Sequence, residues 1–274
     1  MTGNDTAAAP AAGVQIDTSK PHPARVYDWF LGGKDNYPVD EEMAHQLLTV
    51  DARGRDIARV NRAFMHRAIR RLGEAGVRQY LDIGTGIPTE PNLHQVAQRV
   101  APESRIVYCD NDPIVLAHAE ALLRSVPEGV TAYIQADARD PQAILDRAGE
   151  VLDFTRPVAL SLLALLHFVD DEEGAHELVS RLVERLAPGS HLLLSHITSD
   201  FDPENAARAR AVYRSRGLTL RPRSREEFTR FFDGLELAEP GVAPAADWHP
   251  EPGDPAPAAG EGPIPVYAGV ARKP

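Results

Sequence analysis

The stretch "LDIGTGIPT", residues 81–89, decides the fold class of this 274-residue chain. It joins the end of an apolar segment to an acid, Asp82, and then to the turn Gly84-Thr85-Gly86. Glycines let a backbone turn tightly and approach a ligand closely, and a helix after the turn would offer free N–H groups. The stretch predicts a strand–turn–helix unit at a ligand site, where Asp82 accepts a hydrogen bond from an ammonium or hydroxyl group.

The turn differs from the dinucleotide-binding fingerprint. That fingerprint has a third glycine near the pyrophosphate, whereas Ile87, Pro88 and Thr89 occupy this region. Pro88, expected in the first helical turn, would also remove a donor that a phosphate needs. We therefore expect a ligand other than a dinucleotide, with an ordinary glycine-rich turn as the alternative.

Two further acids follow the next predicted strands. "IVYCDND" (106–112) ends in Asp110, where an acid commonly binds ribose hydroxyls, and "YIQADARDP" (133–141) carries Asp137. Open α/β sheets bind ligands at the carboxyl ends of their strands, so the acids are expected to share one site with Asp82. The alternatives are a helix cap, a role we assign to Asp112, and a turn aspartate at 137.

Apolar strands alternate with amphipathic helices along most of the chain, which predicts an α/β fold with a mostly parallel sheet covered on both faces. The last third differs, because two strands lack a helix between them and are joined by a proline-rich loop (240–265), so an antiparallel last strand is expected. The seven predicted strands are 78–83, 105–109, 130–135, 157–163, 191–197, 235–240 and 265–273. The predicted helices are 23–31, 38–53, 56–74, 91–100, 112–123, one from 140, 171–186, 203–216 and 224–232.

Composition excludes several classes of protein. The net charge is -11, without the basic footprint of a nucleic-acid binder. One cysteine, Cys109, permits no internal disulfide and fits a reducing compartment; we expect it to be an inert core thiol. No segment reaches the ~18 apolar residues of a membrane span, and the N-terminus lacks the features of a signal peptide. These observations predict a cytoplasmic protein that binds neither nucleic acid nor membrane.

The N-terminal region divides into a predicted disordered tail at 1–15 and a helical region at 16–75, before the α/β domain at 76–274. The helical region contains "RVYDWFLGGKDNYPVDEE", residues 25–42. Gly32-Gly33 would end a helix, but the following Lys34, Asp35, Asn36 and Tyr37 are more functional groups than helix punctuation needs.

The succession of Asp82 with its Gly-x-Gly turn, Asp110 and Asp137 resembles the class I S-adenosylmethionine-dependent methyltransferases (Rossmann-like fold). The stretches "ARVYDWFLGGKDNYPVD", "YLDIGTGIPT", "YCDNDPIVLAHA" and "LLALLHFVDDEE" are similar to an actinobacterial S-adenosyl methyltransferase family, long catalogued as a domain of unknown function. This resemblance runs nearly end to end and implies the fold and the cofactor, S-adenosylmethionine, without a known acceptor.

The resemblance also implies roles for particular residues. Residues 25–42 would form a lid, with Asn36 and Tyr37 near the methionine end of the cofactor; a connector between helices is the alternative. Tyr27 or Tyr37 would contact the sulfonium by a cation–π interaction, and Lys34 would pair with a carboxylate, Asp35 or one in the pocket. The other expected cofactor contacts are Asp82, Gly84 and Gly86 (methionine part), Asp110 (ribose), Asp137 and Ala138 (adenine) and Arg62 (carboxylate, with a surface arginine as the alternative), together with Thr85 and Asn111.

His167 follows the fourth predicted strand and is the candidate general base, with a histidine packed behind the pocket as the alternative. No histidine pair shows metal-ligand spacing, so no metal is expected. The sequence therefore predicts methyl transfer from S-adenosylmethionine to a small-molecule acceptor. The alternatives are a non-catalytic protein that binds this cofactor or its demethylated product, and a nicotinamide-dependent oxidoreductase.

Overall fold

The structure, a computed structural model, describes residues 17–115, 125–257 and 262–274. The tail predicted at 1–15 lies outside the described residues. Most of the helix predicted at 112–123 does as well, and only its first turn, 113–115, is described as helical.

Three helices precede the sheet: α1 (Pro23–Leu31), α2 (Pro38–Val50) and α3 (Gly54–Glu74). Proline occupies the first position of α1 and of α2, where its missing N–H is tolerated and its fixed φ suits a helix. Gly32 ends α1 with a φ of 84°, a left-handed conformation that favours glycine. The predicted bounds of these helices were correct to within three residues.

The described strands form an eight-stranded sheet in the order β3-β2-β1-β4-β5-β8-β6, with β7 beside β8. Strands β1 to β5 pair in parallel, and β8 is antiparallel to β5, β6 and β7. This confirms a mostly parallel sheet with an antiparallel last strand. The strands are β1 (Gln79–Ile83), β2 (Arg105–Asp110), β3 (Val130–Gln135), β4 (Ala159–Leu163), β5 (His191–Ile197), β6 (Glu236–Leu237), β7 (Ala243–Pro244) and β8 (Val266–Arg272).

Two sequence-based details were wrong. The proline-rich segment expected to be loop contributes the short strand β7, because its backbone pairs with β8 at Ala243 and Pro244. The helix expected at 171–186 begins only at Ala175, since Gly174, with a φ of 83°, interrupts the chain after two short 3-10 turns.

Apart from the helical turn at 113–115, five helices among the described residues accompany the strands, and their caps explain where three of them begin. Asp140, Asp202 and Ser224 each accept a hydrogen bond from a backbone N–H of the first helical turn, as N-cap residues do. The capping box predicted at Ser224 is confirmed. The helices are α4 (Leu93–Val100), α5 (Pro141–Ala148), α6 (Ala175–Glu184), α7 (Pro203–Ser215) and α8 (Arg225–Thr229).

Buried apolar clusters cover both faces of the sheet, and a third cluster joins the N-terminal helices to α7. The third cluster includes Val26 of α1, Met43 and Leu47 of α2, Ala58 of α3 and Tyr213 of α7. The packing places α1, α2, α3 and α7 around the carboxyl ends of the strands. Within the described part of the chain, no helix is long and apolar enough to cross a membrane.

Candidate ligand-binding site

A cavity of about 540 Å³ lies between the carboxyl ends of the strands and the helices α1, α2, α3 and α7, a volume typical of small-molecule sites. It spans the point where the strand order reverses, between β1 and β4, which is where open α/β sheets bind ligands. Nearly all predicted site residues line it: Arg62, Asp82, Gly84, Thr85, Gly86, Asp110, Asn111, Asp137, Ala138 and His167.

The two glycines of the Gly-x-Gly loop (residues 84–86) are needed for different reasons. Both have a positive φ, 76° at Gly84 and 67° at Gly86. A Cβ on Gly84 would lie 2.7 Å from Leu165 Cδ1, whereas a Cβ on Gly86 would meet no protein atom within 4 Å. Gly84 is therefore required by the packing of the protein itself, while Gly86 leaves space at the cavity wall.

The segment after this loop differs from the prediction. Residues 87–92 are irregular and α4 begins at Leu93, so Pro88 is a loop residue and not part of a first helical turn. The N–H of His94, at the start of α4, donates to Tyr108 Oη at 2.7 Å. The start of this helix is thus partly satisfied by the protein.

Asp110 fixes the Gly-x-Gly loop to the end of β2. Its Oδ2 accepts from Gly86 N at 2.8 Å and its Oδ1 accepts from Asp112 N at 3.0 Å. Burial raises the pKa of the Asp110 carboxyl despite these two backbone donors. A carboxylate has about four lone-pair sites, so Asp110 retains acceptor capacity on the cavity side.

Asp82 is a carboxylate that lacks a cation. Burial raises its pKa to about 6, a rise that the Ser161 hydroxyl and the Arg62 guanidinium only partly offset. Among the described residues, Asp82 forms no ion pair. Because a nearby positive charge favours the ionised form, Asp82 suits a ligand that carries an ammonium group.

Arg62 lines the cavity from α3 but is partly engaged. Its Nη2 donates to the backbone carbonyls of Thr89 and Pro91, which fixes the irregular segment after the Gly-x-Gly loop. The sequence presented a choice between a ligand contact and a surface arginine. The structure places Arg62 at the cavity wall. Because Nη2 is engaged by the two carbonyls, a ligand carboxylate would have to bind the other N–H groups of the guanidinium.

Asp137 lies at the cavity rim and is shared with Arg139. Its Oδ1 accepts from Arg139 N at 2.9 Å, which is the turn geometry that we considered as its alternative role. Arg139 also donates to Phe168 O at 3.2 Å and pairs with Glu173 at 3.3 Å. The strand-end acids are therefore brought together, but Asp137 is the most exposed of them and the most involved in a local turn.

The Gly-Gly loop (residues 32–37) differs from its predicted role, because Asn36 and Tyr37 are not among the described residues that line the cavity. Asn36 Nδ2 instead donates to Asp28 Oδ2 at 2.9 Å, and Asp35 N donates to the same oxygen at 3.0 Å. A Cβ on Gly33 would lie 1.9 Å from Asp28 Oδ1. The buried Asp28 carboxylate thus organises this loop and explains its glycine and asparagine.

Tyr37 makes contacts with the protein that the sequence did not predict. The Tyr37 ring packs beside Ile87 and Ile114 and lies 5.3 Å from the Arg25 guanidinium carbon. Lys34 is exposed, and it is absent from the ion pairs found among the described residues. An exposed lysine keeps its ammonium group hydrated and avoids the free-energy cost of burying an unpaired charge.

A buried ion pair, which the sequence did not reveal, ties α1 to the site. Arg25 donates through Nε and Nη2 to Asp112 at 2.9 and 3.2 Å, and both side chains are almost fully buried. His22 Nδ1 lies 3.2 Å from the same carboxylate. Asp112 also caps the next helical turn by accepting from Ile114 N at 3.1 Å, as predicted. The sequence feature that could have revealed Arg25 is its position as an arginine among apolar residues of a helix.

A polar chain, also missed by the sequence, links α1, α3 and the strand ends. Tyr27 Oη donates to Ala58 O at 3.0 Å and accepts from Asn61 Nδ2 at 2.8 Å. Asn61 Oδ1 accepts from Ser195 Oγ, and that hydroxyl accepts from Ala164 N at 2.9 Å. Ala164 has a φ of 51°, a strained conformation for alanine of the kind that clusters at functional sites.

His167 lies at the cavity wall and is 3% exposed. Burial, with the nearby His196 and Arg223, lowers its pKa well below the ordinary value. Its Nδ1 is buried without a hydrogen-bond partner among the described residues. A neutral imidazole with an unpartnered nitrogen fits both the general base and the histidine packed behind the pocket.

Arg223, fully buried, holds the loop that carries His167. It donates to Leu166 O at 2.8 Å, to Val169 O at 2.9 Å and to Asp171 Oδ1 at 2.6 Å. It also donates to His196 Nε2 at 2.8 Å, which keeps that ring neutral; burial lowers the pKa of His196 to about 3. Over the described chain, no group of three or more His, Cys, Asp or Glu side chains is arranged to hold a metal ion.

Comparison with known proteins identifies the family of the chain. The S-adenosyl methyltransferase family matches residues 9–274. A DUF574-family protein from Streptomyces avermitilis is 48% identical, with a TM-score of 0.90 over 95% of this chain and 100% of its own. A proposed methyltransferase from Thermobifida fusca is 39% identical, with a TM-score of 0.84 over 94% of this chain and 96% of its own.

A more distant structure shows the fold alone. An S-adenosylmethionine-dependent methyltransferase from Anabaena variabilis is 14% identical, with a TM-score of 0.50 over 73% of this chain and 80% of its own. No protein of curated function matches the chain. The chain belongs to the S-adenosyl methyltransferase family, in which the DUF574 proteins are found.

Proposed function

We propose that the protein catalyses methyl transfer from S-adenosylmethionine to a small-molecule acceptor bound in the same cavity. The observation that carries this proposal is the meeting of Asp82, Asp110 and Asp137 with Gly86 on one wall, at the carboxyl ends of three adjacent parallel strands. Family membership supports the reaction class, since the family is one of S-adenosyl methyltransferases.

The residues present fit the cofactor. Asp82, a partly buried carboxylate that forms no ion pair among the described residues, matches the ammonium of a methionine moiety. Asp110 has free acceptor sites for the two hydroxyls of a ribose, and Gly86 offers room because no side chain occupies its surface. Asp137 and Ala138 lie beyond them on β3's end, where an adenine amino group would find an acceptor.

The bound cofactor supplies a methyl group on a positively charged sulfur and leaves as a neutral thioether. The chain has to orient that sulfur toward the acceptor and exclude water, which is the main requirement of such an in-line transfer. The buried pair Arg25–Asp112 holds α1 over the cavity, and the Tyr27–Asn61 bond joins α1 to α3. We assign the helices α1 to α3 the role of a lid, through these contacts and not through Asn36.

His167 is our candidate for taking the proton of the acceptor. Its lowered pKa keeps the imidazole neutral near pH 7, so a ring nitrogen retains a lone pair. Arg223 acts as a positioning residue, because it holds the carbonyls on both sides of His167 through Leu166 and Val169.

Calorimetric titration of the purified protein with S-adenosylmethionine, S-adenosylhomocysteine and NAD, in parallel, tests the proposal. We expect both sulfur ligands to bind with one site per chain and NAD not to bind. Binding of NAD alone would support an oxidoreductase instead. Binding of S-adenosylhomocysteine without turnover on any acceptor would favour a protein that only binds the cofactor.

A further inference from the structure

We propose that the acceptor is an uncharged, largely apolar molecule with an aromatic hydroxyl group, bound under the ends of β4, β5 and β8. This inference rests on the proposed function and names the substrate class that the same cavity would take. It comes from the unequal chemistry of the two halves of the cavity on either side of the β1–β4 boundary.

The strand ends divide the cavity into an acidic half and an apolar half. In the acidic half, β1, β2 and β3 end at or next to Asp82, Asp110 and Asp137. In the apolar half, β4 is followed by Ala164 and Leu165, and β8 begins at Val266, preceded by Pro265. Since the polar groups of the cofactor need the acids, the acceptor is left with the apolar half.

Helices α1, α2 and α7 complete the apolar half with hydrocarbon and aromatic surface. Phe30, Leu47 and Val50 line it from α1 and α2, while Tyr213, Leu218 and Leu220 line it from α7 and the segment after it. Burying apolar surface against such a wall is favourable in proportion to its area. An acceptor with a compact hydrocarbon body gains most from this surface.

The acidic and amide side chains of the apolar half already have partners within the protein. Asp51 pairs with Arg53 at 2.7 Å, and Asp202 caps α7 by accepting from Asn205 N at 2.9 Å. Asn205 Oδ1 accepts from Arg208. The described lining of this half includes no Lys or Arg side chain, and its acids are engaged in an ion pair (Asp51) and a helix cap (Asp202). An anionic acceptor would therefore be buried without a partner, which is costly.

The aromatic groups and His167 place the reacting hydroxyl. The rings of Phe168 and Tyr213 lie 5.8 Å apart at 34°, and the His167 ring lies 4.3 Å from that of Phe168. Aromatic pairs favour offset or edge-to-face contacts at such distances, so a flat ring suits this wall. A hydroxyl on that ring would lie on the His167 side, near the boundary with the acidic half.

The reaction that follows is balanced. The hydroxyl oxygen forms the new O–CH₃ bond while the S–CH₃ bond breaks, its electron pair remaining on sulfur as a neutral thioether. The hydroxyl proton passes to the His167 imidazole and from there to solvent. A phenolic proton is the more suitable one, because a buried imidazole of low basicity removes a more acidic proton more readily.

The test uses two probes of matched shape, 2-naphthol and 2-naphthoate, titrated into the full-length protein saturated with S-adenosylhomocysteine. We expect 2-naphthol to bind with one site per chain and at least tenfold more tightly than the carboxylate. Ala209→Phe, which fills the apolar half from α7, should abolish naphthol binding and leave S-adenosylhomocysteine binding unchanged. Ala207→Phe, on the exposed face of the same helix, is the matched control and should change neither.

The outcomes separate the inference from the function on which it rests. If S-adenosylhomocysteine does not bind, the proposed function fails, and the naphthol titration of the free protein still examines the apolar half. Equal affinity for the two probes, or naphthol binding that survives Ala209→Phe, would overturn the inference. Should Ala209→Phe fail to fold, the smaller Ala206→Leu substitution in the same wall is expected to weaken naphthol binding at least fivefold.

Discussion

The Gly-x-Gly loop and the Gly-Gly loop look alike in sequence but differ in which atoms their functional groups contact. The Gly-x-Gly loop is surrounded by acids that face the cavity, and Gly86 has open space where a side chain would be. In the Gly-Gly loop, Asp28 occupies the corresponding space and bonds the loop's own polar groups. A run of functional groups beside glycines is thus a candidate ligand site only where those groups keep donor or acceptor capacity on the cavity side.

The largest effect is expected from Gly33→Ala, which should reduce the free energy of unfolding by about 3 kcal/mol, measured by urea denaturation. The new Cβ would lie 1.9 Å from Asp28 Oδ1, so the buried carboxylate must move and lose hydrogen bonds while the site is overpacked. Gly32→Ala is the control. It meets no atom within 4 Å and should cost about 1 kcal/mol for its positive φ alone. Equal losses for the two variants would contradict the assigned role of Asp28.

Next in size is Asp110→Ala, which should weaken S-adenosylhomocysteine binding roughly 30-fold in calorimetry. The loss of a charged acceptor costs about 2 kcal/mol, and 1.4 kcal/mol corresponds to a factor of ten. An affinity within twofold of the parent would contradict a ligand-binding role for Asp110. Its carboxylate would then only accept hydrogen bonds from Gly86 N and Asp112 N.

The protonation of Asp82 should make the affinity of the site for S-adenosylhomocysteine depend on pH. Its pKa of about 6 in the free protein is above the ordinary value, so a proton competes with a ligand ammonium below pH 6. Affinity for S-adenosylhomocysteine should therefore rise as pH increases, becoming about tenfold tighter at pH 7 than at pH 5. Asp82→Asn should bind weakly at both pH values; a variant that retains the full pH dependence would assign it to another group.

The smallest effect is expected from Asn36→Ala. It removes one hydrogen bond to Asp28 and one to Gly33 O, which should cost about 1 kcal/mol of stability and change cofactor affinity by less than twofold. If Asn36 instead contacts the methionine end of the cofactor, as the resemblance implied, the substitution should weaken cofactor binding, so a joint measurement of stability and affinity decides between the two roles.

The sequence predicted best what is local along the chain. Strand ends, helix caps and the Gly-x-Gly turn depend on neighbouring residues, and the sheet class follows from their succession. The contacts that close the cavity join distant residues: Arg25 and Asp112 are 87 positions apart, and Asn61 and Ser195 are 134 apart. No spacing rule relates such pairs, so the sequence could identify the acids of the site but not the residues that hold α1 above them.

The irregular segment at 87–92 shows the same limit within a motif. The motif placed Pro88 in a first helical turn, but α4 begins at Leu93, within two residues of the helix predicted at 91–100. In the irregular segment before it, Arg62 donates to the backbone carbonyls of Thr89 and Pro91. This contact from α3 supports the irregular segment, and no local pattern in the sequence encodes it.

The most direct test of the central claim is a crystal structure of the protein with S-adenosylhomocysteine. The account predicts the ribose hydroxyls within hydrogen-bond distance of Asp110, the amino group beside Asp82, and the sulfur directed toward the apolar half near His167. A ligand bound in the apolar half, or a ribose held by residues of the Gly-Gly loop with Asp110 still bonded only to backbone, would contradict it.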